Sequence, residues 1–298
     1  MVSDNVIRYG AIHVIESLGS DEYRSGERLF RSLLEPTHRA RGYPAVTYAA
    51  PDSRAELLGC LEAIAQRVEA NRYRPLIHLE AHGDPDGLRV ASGEFVAWET
   101  LREVLTRLNS ATGLHLTVVL GMCQGWAMTR VLRPDFPAPV FALIGPTTDV
   151  SGEDLFNAFE SFYQCSIYSE GRQRVLRALN GHRPPEEWRF RIAFASEVFK
   201  ESFTRYIAVA CTEEALRARE NEVVAELVRR RQLDLVASAD ARAYARQVLA
   251  DERTFFEYAK AGFFLFEHHP GNRERFPFTY DECVAGEGSA DSGLPRAV

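Results

Sequence analysis

A chain of 298 residues with 46% hydrophobic and 26% charged residues has the make-up of a soluble globular protein, long enough to bury one large core or two small ones. A net charge of −7 argues against nucleic acid as the main partner, since phosphate binding calls for clustered Lys and Arg. The five cysteines (Cys60, Cys123, Cys165, Cys211 and Cys283) are scattered, odd in number and never spaced Cys-x-x-Cys, which argues against a disulfide framework or a zinc site, so neither metal nor cofactor is expected.

The chain opens on a β-forming run, YGAIHVIESL, which predicts a strand over 9–18 ended by Gly19. DEYRSGERLFRSLLEPTHRA reads as helix, and AVTYAAP (45–51) as a second strand stopped by Pro51. Ser53 is placed to cap the helix RAELLGCLEAIAQRVEANRY, whose apolar residues recur at helical spacing. PLIHLEAHG (75–83) predicts a third strand, followed by a polar, glycine-bearing stretch, DPDGLRVASGEFV, and the helix WETLREVLTRLNSA. LHLTVVLGMC (114–123) and APVFALIG (138–145) predict the fourth and fifth strands, and Ser151 is a cap for the helix GEDLFNAFESFYQCSI. Short apolar strands separated by helices predict an α/β fold over residues 1–200, a mostly parallel sheet covered by helices on both faces.

From about residue 200 the pattern is helical only, in 203–236 and 238–269, so 201–298 is expected to be a helical part set on or beside the sheet. The Arg229–Arg231 run reads as a solvated helix face. The Gly/Ser-rich end, GEGSADSGLPRAV from about 286, is expected to be disordered. The first residues lack the basic and apolar regions of a signal peptide, and no apolar run reaches the roughly 20 residues that span a bilayer. The expectation is a cytoplasmic protein with no membrane partner.

In a parallel sheet the ligand site lies at the carboxyl ends of the strands, and two residues with chemistry sit there: His82, followed by Gly83, and Cys123 in LGMCQG. A thiol is a useful nucleophile as thiolate, and a nearby imidazole is the usual means of making one at neutral pH. Acyl transfer also needs backbone N–H groups aimed at the developing oxyanion, which the glycine after the histidine and the turn holding the cysteine can supply. The separation of 41 residues (123 − 82) is one strand–helix–strand crossover, so the two ends are expected side by side on neighbouring strands.

The succession PLIHLEAHGDPDG, FVAWETLREVLTRLN, LHLTVVLGMCQG and PVFALIGPTTDVSGEDLFNAFESFY resembles the caspase-like cysteine peptidases, and within them the bacterial branch that includes CHAT-type proteases. The resemblance covers roughly residues 5–200. It implies a caspase-like three-layer fold and a cysteine endopeptidase cutting protein or peptide substrates through a His82–Cys123 dyad. The N–H groups of Gly83 and Cys123 would form the oxyanion hole. It also implies a setting in bacterial defence or cell death. Gly-Met precedes Cys123 where eukaryotic caspases carry Gln-Ala, and the link from Trp126 to Pro139 is short, with no evident loop for cutting into two subunits. An intact chain switched by an activating partner or ligand is therefore expected, and the Asp preference of eukaryotic caspases is not.

Other residues leave alternatives open. Glu80 precedes His82 by two positions and would share its strand face, to orient His82, charge the S1 pocket or bridge to an arginine. Asp149 follows the fifth strand, where the resemblance implies one wall of the S1 pocket; a loop Asp flanking Ser151 is the plainer reading. His13, His78 and His115 read as structural, Asp84 and Asp86 as turn chemistry around Pro85. Two competing functions remain. Gly121-Met-Cys-Gln-Gly125 matches the nucleophile elbow of α/β-hydrolases with Cys for Ser, which would draw on His182, His268 or His269. The chain could instead be an inactive peptidase-like module that binds a partner.

Overall fold

The computed structural model describes residues 5–166, 172–181, 183–210, 214, 217 and 251–285. The expectations for Arg229–Arg231, Cys211, His182 and the tail from 286 lie outside the described residues. Among those residues the chain forms β1 (Ala11–Glu16), β2 (Ala45–Ala49), β3 (Pro75–Glu80), β4 (His82–Asp84), β5 (Gly87–Arg89), β6 (Phe95–Ala97), β7 (Thr117–Gly121), β8 (Ala142–Pro146) and β9 (Phe190–Phe194). The main helices are α1 (Ser25–Leu29), α2 (Glu35–Arg41), α3 (Arg54–Asn71), α4 (Trp98–Ala111), α5 (Gly152–Ser166), α6 (Arg172–Asn180) and α7 (Ala195–Ala210).

Six strands make one sheet in the order β2-β1-β3-β7-β8-β9. Every pairing is parallel except that of β9, which runs antiparallel to β8. Strand side chains alternate between faces, so a strand covered on both sides is apolar wherever its groups are not paired. β7 is nearly all apolar for this reason, and the two exceptions in β3, His78 and Glu80, are bonded to each other. Leu76 and Val119 enter one core with Phe159 and Phe162 of α5, while Ile77, Leu79, Val118 and Leu120 enter a second with Leu57 and Leu61 of α3 and Leu101 and Leu105 of α4. The three-layer α/β arrangement expected from the sequence is thus present.

Both expected caps form. The Ser53 hydroxyl accepts from the Glu56 N–H at 3.2 Å and the Glu56 carboxylate accepts from the Ser53 N–H at 3.4 Å, a reciprocal capping box at the start of α3. Ser151 accepts from the Asp154 N–H at 3.1 Å at the start of α5. The first helical run is interrupted by a π turn, Phe30–Leu34, between α1 and α2. It lies just before Pro36, which has no N–H to continue the ladder to Ser32.

Two features differ from the sequence reading. The strand expected over 75–83 stops at Glu80, and His82 opens β4 of a separate small sheet, β4-β5-β6. That sheet runs from the end of the expected strand through the polar, glycine-bearing stretch, where strands of three residues are too short to show a period of two. β9, five residues long, was not anticipated either. Beyond 200, Phe203 of α7, Phe256 and Phe263 of helix Glu252–Phe263, and Phe276 and Phe278 join the same core as Phe141 and Phe194 of the sheet region. The boundary expected near 200 falls inside α7, and the described C-terminal helices pack directly on the sheet. Among the described residues no helix is long and apolar enough to cross a membrane.

Candidate active site

β3 and β7 are parallel neighbours, with Glu80 opposite Gly121, so the segments that leave them emerge side by side at the carboxyl end of the sheet. His82 lies two residues past one strand end and Cys123 two residues past the other. The two turns meet backbone to backbone. A Cβ at position 83 would stand 1.8 Å from the Cys123 carbonyl oxygen and 2.9 Å from its carbon, so only glycine fits. In the β4–β5 hairpin the closing pair Asp84–Gly87 exchanges hydrogen bonds, and Gly83, one step back, faces Leu88 without them. Its N–H is therefore turned to the outer edge of β4, away from β5.

The His82 ring is held by Glu22, whose Oε1 lies 2.6 Å from Nε2. The other oxygen of Glu22 accepts from the Gly19 N–H at 2.5 Å, which braces the carboxylate in the turn that follows β1. Side-chain exposures of 58% and 35% place the pair at the surface, where such a contact contributes under about 1 kcal/mol to stability. Its consequence is for orientation. A carboxylate on Nε2 favours the tautomer with the proton there and leaves Nδ1 as the basic nitrogen, which among the described residues has no hydrogen-bond partner. Cys123 is half-buried, with the Val150 carbonyl and N–H each 3.5 Å from its Sγ. Among the described residues no hydrogen bond joins the two side chains directly.

The turn beyond Cys123 is tied to the loop after β8. Gln124 takes a left-handed conformation (φ 52°), its N–H donates to Thr148 O at 3.2 Å, and its side-chain amide donates to Asp149 Oδ1 at 3.1 Å. Asp149 thus presents an exposed carboxylate next to the cysteine turn. The positive φ falls on Gln124 and not on Cys123, unlike a nucleophile elbow, which strains the nucleophile itself. His268 and His269 lie at the far end of the sheet, where His269 Nε2 meets Ser110 O at 3.0 Å and the ring packs against Gly113, ahead of β7. Neither can serve Cys123, and the elbow reading loses both.

Glu80 is placed differently from each role weighed for it. With the strand ending at Glu80 and a new one starting at His82, the two side chains no longer share a face. Glu80 is fully buried, bound to His78 Nε2 (2.7 Å), the Ser25 hydroxyl (2.5 Å) and the Gly26 N–H (2.9 Å). Its neighbour in register is Glu16, which shares the Gly26 N–H and takes the arginine, Arg24, at 3.1 Å. Burial pushes the Glu16 carboxyl pKa up, and the Glu80 carboxylate beside it adds to the rise. His78 completes this buried network through Tyr163 OH at 2.9 Å. His13 is likewise buried, between Thr47 and Tyr73, with its pKa lowered to about 4, chiefly by burial. Asp84 accepts from the Asp86 N–H at 2.9 Å, as turn chemistry requires. Of the two acidic candidates only Asp149 reaches the surface beside Cys123.

Glu22 and Val150 were not anticipated. Both reach the site from loops at the carboxyl end of the sheet, and only the strand order, which puts β1 beside β3 and β8 beside β7, brings them there. An acidic pair, Asp21-Glu22, shortly after an apolar strand was the one signal available.

The fold and site together define an α/β protein with a thiol and an imidazole at adjoining carboxyl ends of a parallel sheet. No protein-family model matches the sequence, and no curated protein does. Among solved structures, a secreted C11 cysteine protease from Bacteroides thetaiotaomicron, "iotapain", is similar with a TM-score of 0.46 at 9% identity, over 66% of this chain and 69% of that one. That likeness is too distant to assign a family or an activity.

Proposed function

We propose that the chain is a cysteine endopeptidase of the caspase-like kind, with Cys123 as nucleophile, His82 as base and Glu22 as the residue that positions His82. The observation that carries the reading is the backbone contact between Gly83 and Cys123, which brings His-Gly and the cysteine turn to one point. His82 Nδ1 takes the proton from Sγ, and the thiolate attacks the scissile carbonyl carbon. The N–H groups of Gly83 and Cys123 hold the oxyanion, the imidazolium returns its proton to the leaving amine, and water then hydrolyses the thioester. In the resting arrangement Sγ is engaged by Val150, and the bond to His82 forms as substrate binds; catalytic hydrogen bonds often tighten only then. The short turn Gly125–Val131 follows Cys123 directly, in keeping with an active chain that stays intact and is switched by a partner or ligand.

The role of Glu22 is tested by its variants. Glu22→Ala should lower kcat roughly tenfold with KM unchanged, and Glu22→Gln, which keeps an oxygen acceptor, should recover most of the loss. A fall in thermal stability with kcat intact would show that the contact is structural only.

Asp149 bears on specificity. A carboxylate beside the nucleophile favours a basic P1 side chain and repels an acidic one. Asp149→Asn should cut kcat/KM for Arg or Lys at P1 about tenfold while leaving other P1 residues near their starting values. A library profile that prefers Asp or large apolar P1 residues would remove Asp149 from the pocket.

A further inference from the structure

Away from the candidate active site, at the amino ends of β3 and β7, lies a cavity of about 490 Å³. It opens between the end of α3, the turn before β7 and the segment 268–275. Its lining carries Arg72, Arg74 and Arg275 together with His115, His268 and His269, and among the described residues no carboxylate lines it. That is an uneven placement in a chain with 42 acidic and 35 basic residues. Arg275 is built in, its guanidinium donating to Gly113 O at 3.1 Å, Leu114 O at 2.9 Å and Asn272 Oδ1 at 2.8 Å, with His115 Nδ1 at 3.2 Å. Asn272 is itself buried and anchored to Phe264 O at 2.9 Å. Arg72 and Arg74 are exposed at the rim, and among the described residues neither makes a salt bridge. Burial, with Arg275, Arg74, His269 and Arg8 adding to it, pushes the His115 pKa down to about 3.

Gathering like charges around a concave space is unfavourable unless an anion occupies it. The volume falls within the roughly 300–1,000 Å³ of small-molecule sites, more than a single phosphate needs. Guanidinium groups bind phosphate oxygens in pairs, as Arg72 and Arg74 at the rim are placed to do, while Arg275, whose terminal N–H groups are engaged within the protein, contributes its positive charge. We propose that this cavity binds a compact oligophosphate, either a free phosphate chain or the phosphate tail of a nucleotide. The site stands independently of the peptidase reading.

The test is calorimetric titration of the full-length chain, free of divalent metal, with tripolyphosphate, ATP and orthophosphate. Tripolyphosphate and ATP should bind once per chain, with affinity falling as salt rises, and orthophosphate at least about tenfold more weakly. ATP binding tighter than tripolyphosphate identifies a nucleotide site; equal binding identifies the phosphate chain as the ligand. Arg72→Glu/Arg74→Glu should weaken binding at least about tenfold with the melting temperature unchanged, because both side chains are exposed. The milder Arg72→Gln/Arg74→Gln, made beside it, guards against a folding defect and should lose affinity in the same direction. No heat at millimolar ligand, undiminished binding by the folded variants, or orthophosphate binding as tightly as tripolyphosphate would overturn the proposal.

Discussion

Cys123→Ala is expected to abolish peptide-bond cleavage, a loss of about 10⁴-fold or more in kcat, and His82→Ala to cost nearly as much. Both residues leave neighbouring strands at the same end of the sheet, and their backbones touch through Gly83. They act as one unit, because the imidazole has work only when there is a thiol to deprotonate. The double variant should therefore be no slower than Cys123→Ala alone, where independent contributions would multiply. Neither change should unfold the chain, since His82 is exposed and Cys123 only half-buried. Progress curves on a mixed peptide library with circular dichroism of each variant check this. A Cys123→Ala protein that still cuts would end the dyad reading. A Cys123→Ala protein indistinguishable from an inactive wild type would favour the binding-module alternative.

Gly83→Ala should also be strongly damaging, though less so, and for a different reason. The added methyl would land 1.8 Å from the Cys123 carbonyl oxygen, and the obstacle is backbone, which no rotamer change can move aside. The two turns must separate, which carries the N–H groups meant for the oxyanion out of place. Losing one such donor costs about 10²–10³ in kcat, and the overpacking itself should cost roughly 1–3 kcal/mol of stability. Stopped assays beside urea unfolding separate the two effects. If Gly83→Ala kept near-full activity and stability, the contact between the turns would not hold in solution.

Much of the fold was legible because the strands are buried on both faces. β7 reads as a nearly continuous apolar run and β3 as one broken only by His78 and Glu80, with helical periods between them, and that pattern predicts a parallel sheet with helices on each side. The residues that end those strands followed from the rule that sites in such sheets lie at carboxyl ends. What could not be read depended on pairing. Nothing local in the sequence says that β1 lies beside β3, and so nothing says that Glu22 reaches His82. Glu80 was misread because one break in the chain, at Ala81, undid the assumption of a continuous strand on which positions 80 and 82 share a face. The three-residue strands β4–β6 offered too few residues for a period to show, and β9, which carries Arg191 at its second position, runs into α7 at Ala195 with no turn residue to mark its end.

The central claim, that Cys123 forms a covalent acyl intermediate with a peptide carbonyl, is tested most directly by trapping it. Wild-type chain is incubated with a mixed peptide library, with and without tripolyphosphate, quenched in acid and mapped by mass spectrometry, with the released peptides sequenced from the same sample. The account predicts cleaved peptides together with an acyl thioester on Cys123 that is absent from His82→Ala. Folded wild-type chain that yields no cleaved peptide and no adduct under either condition, or an adduct carried by a different residue, would contradict it.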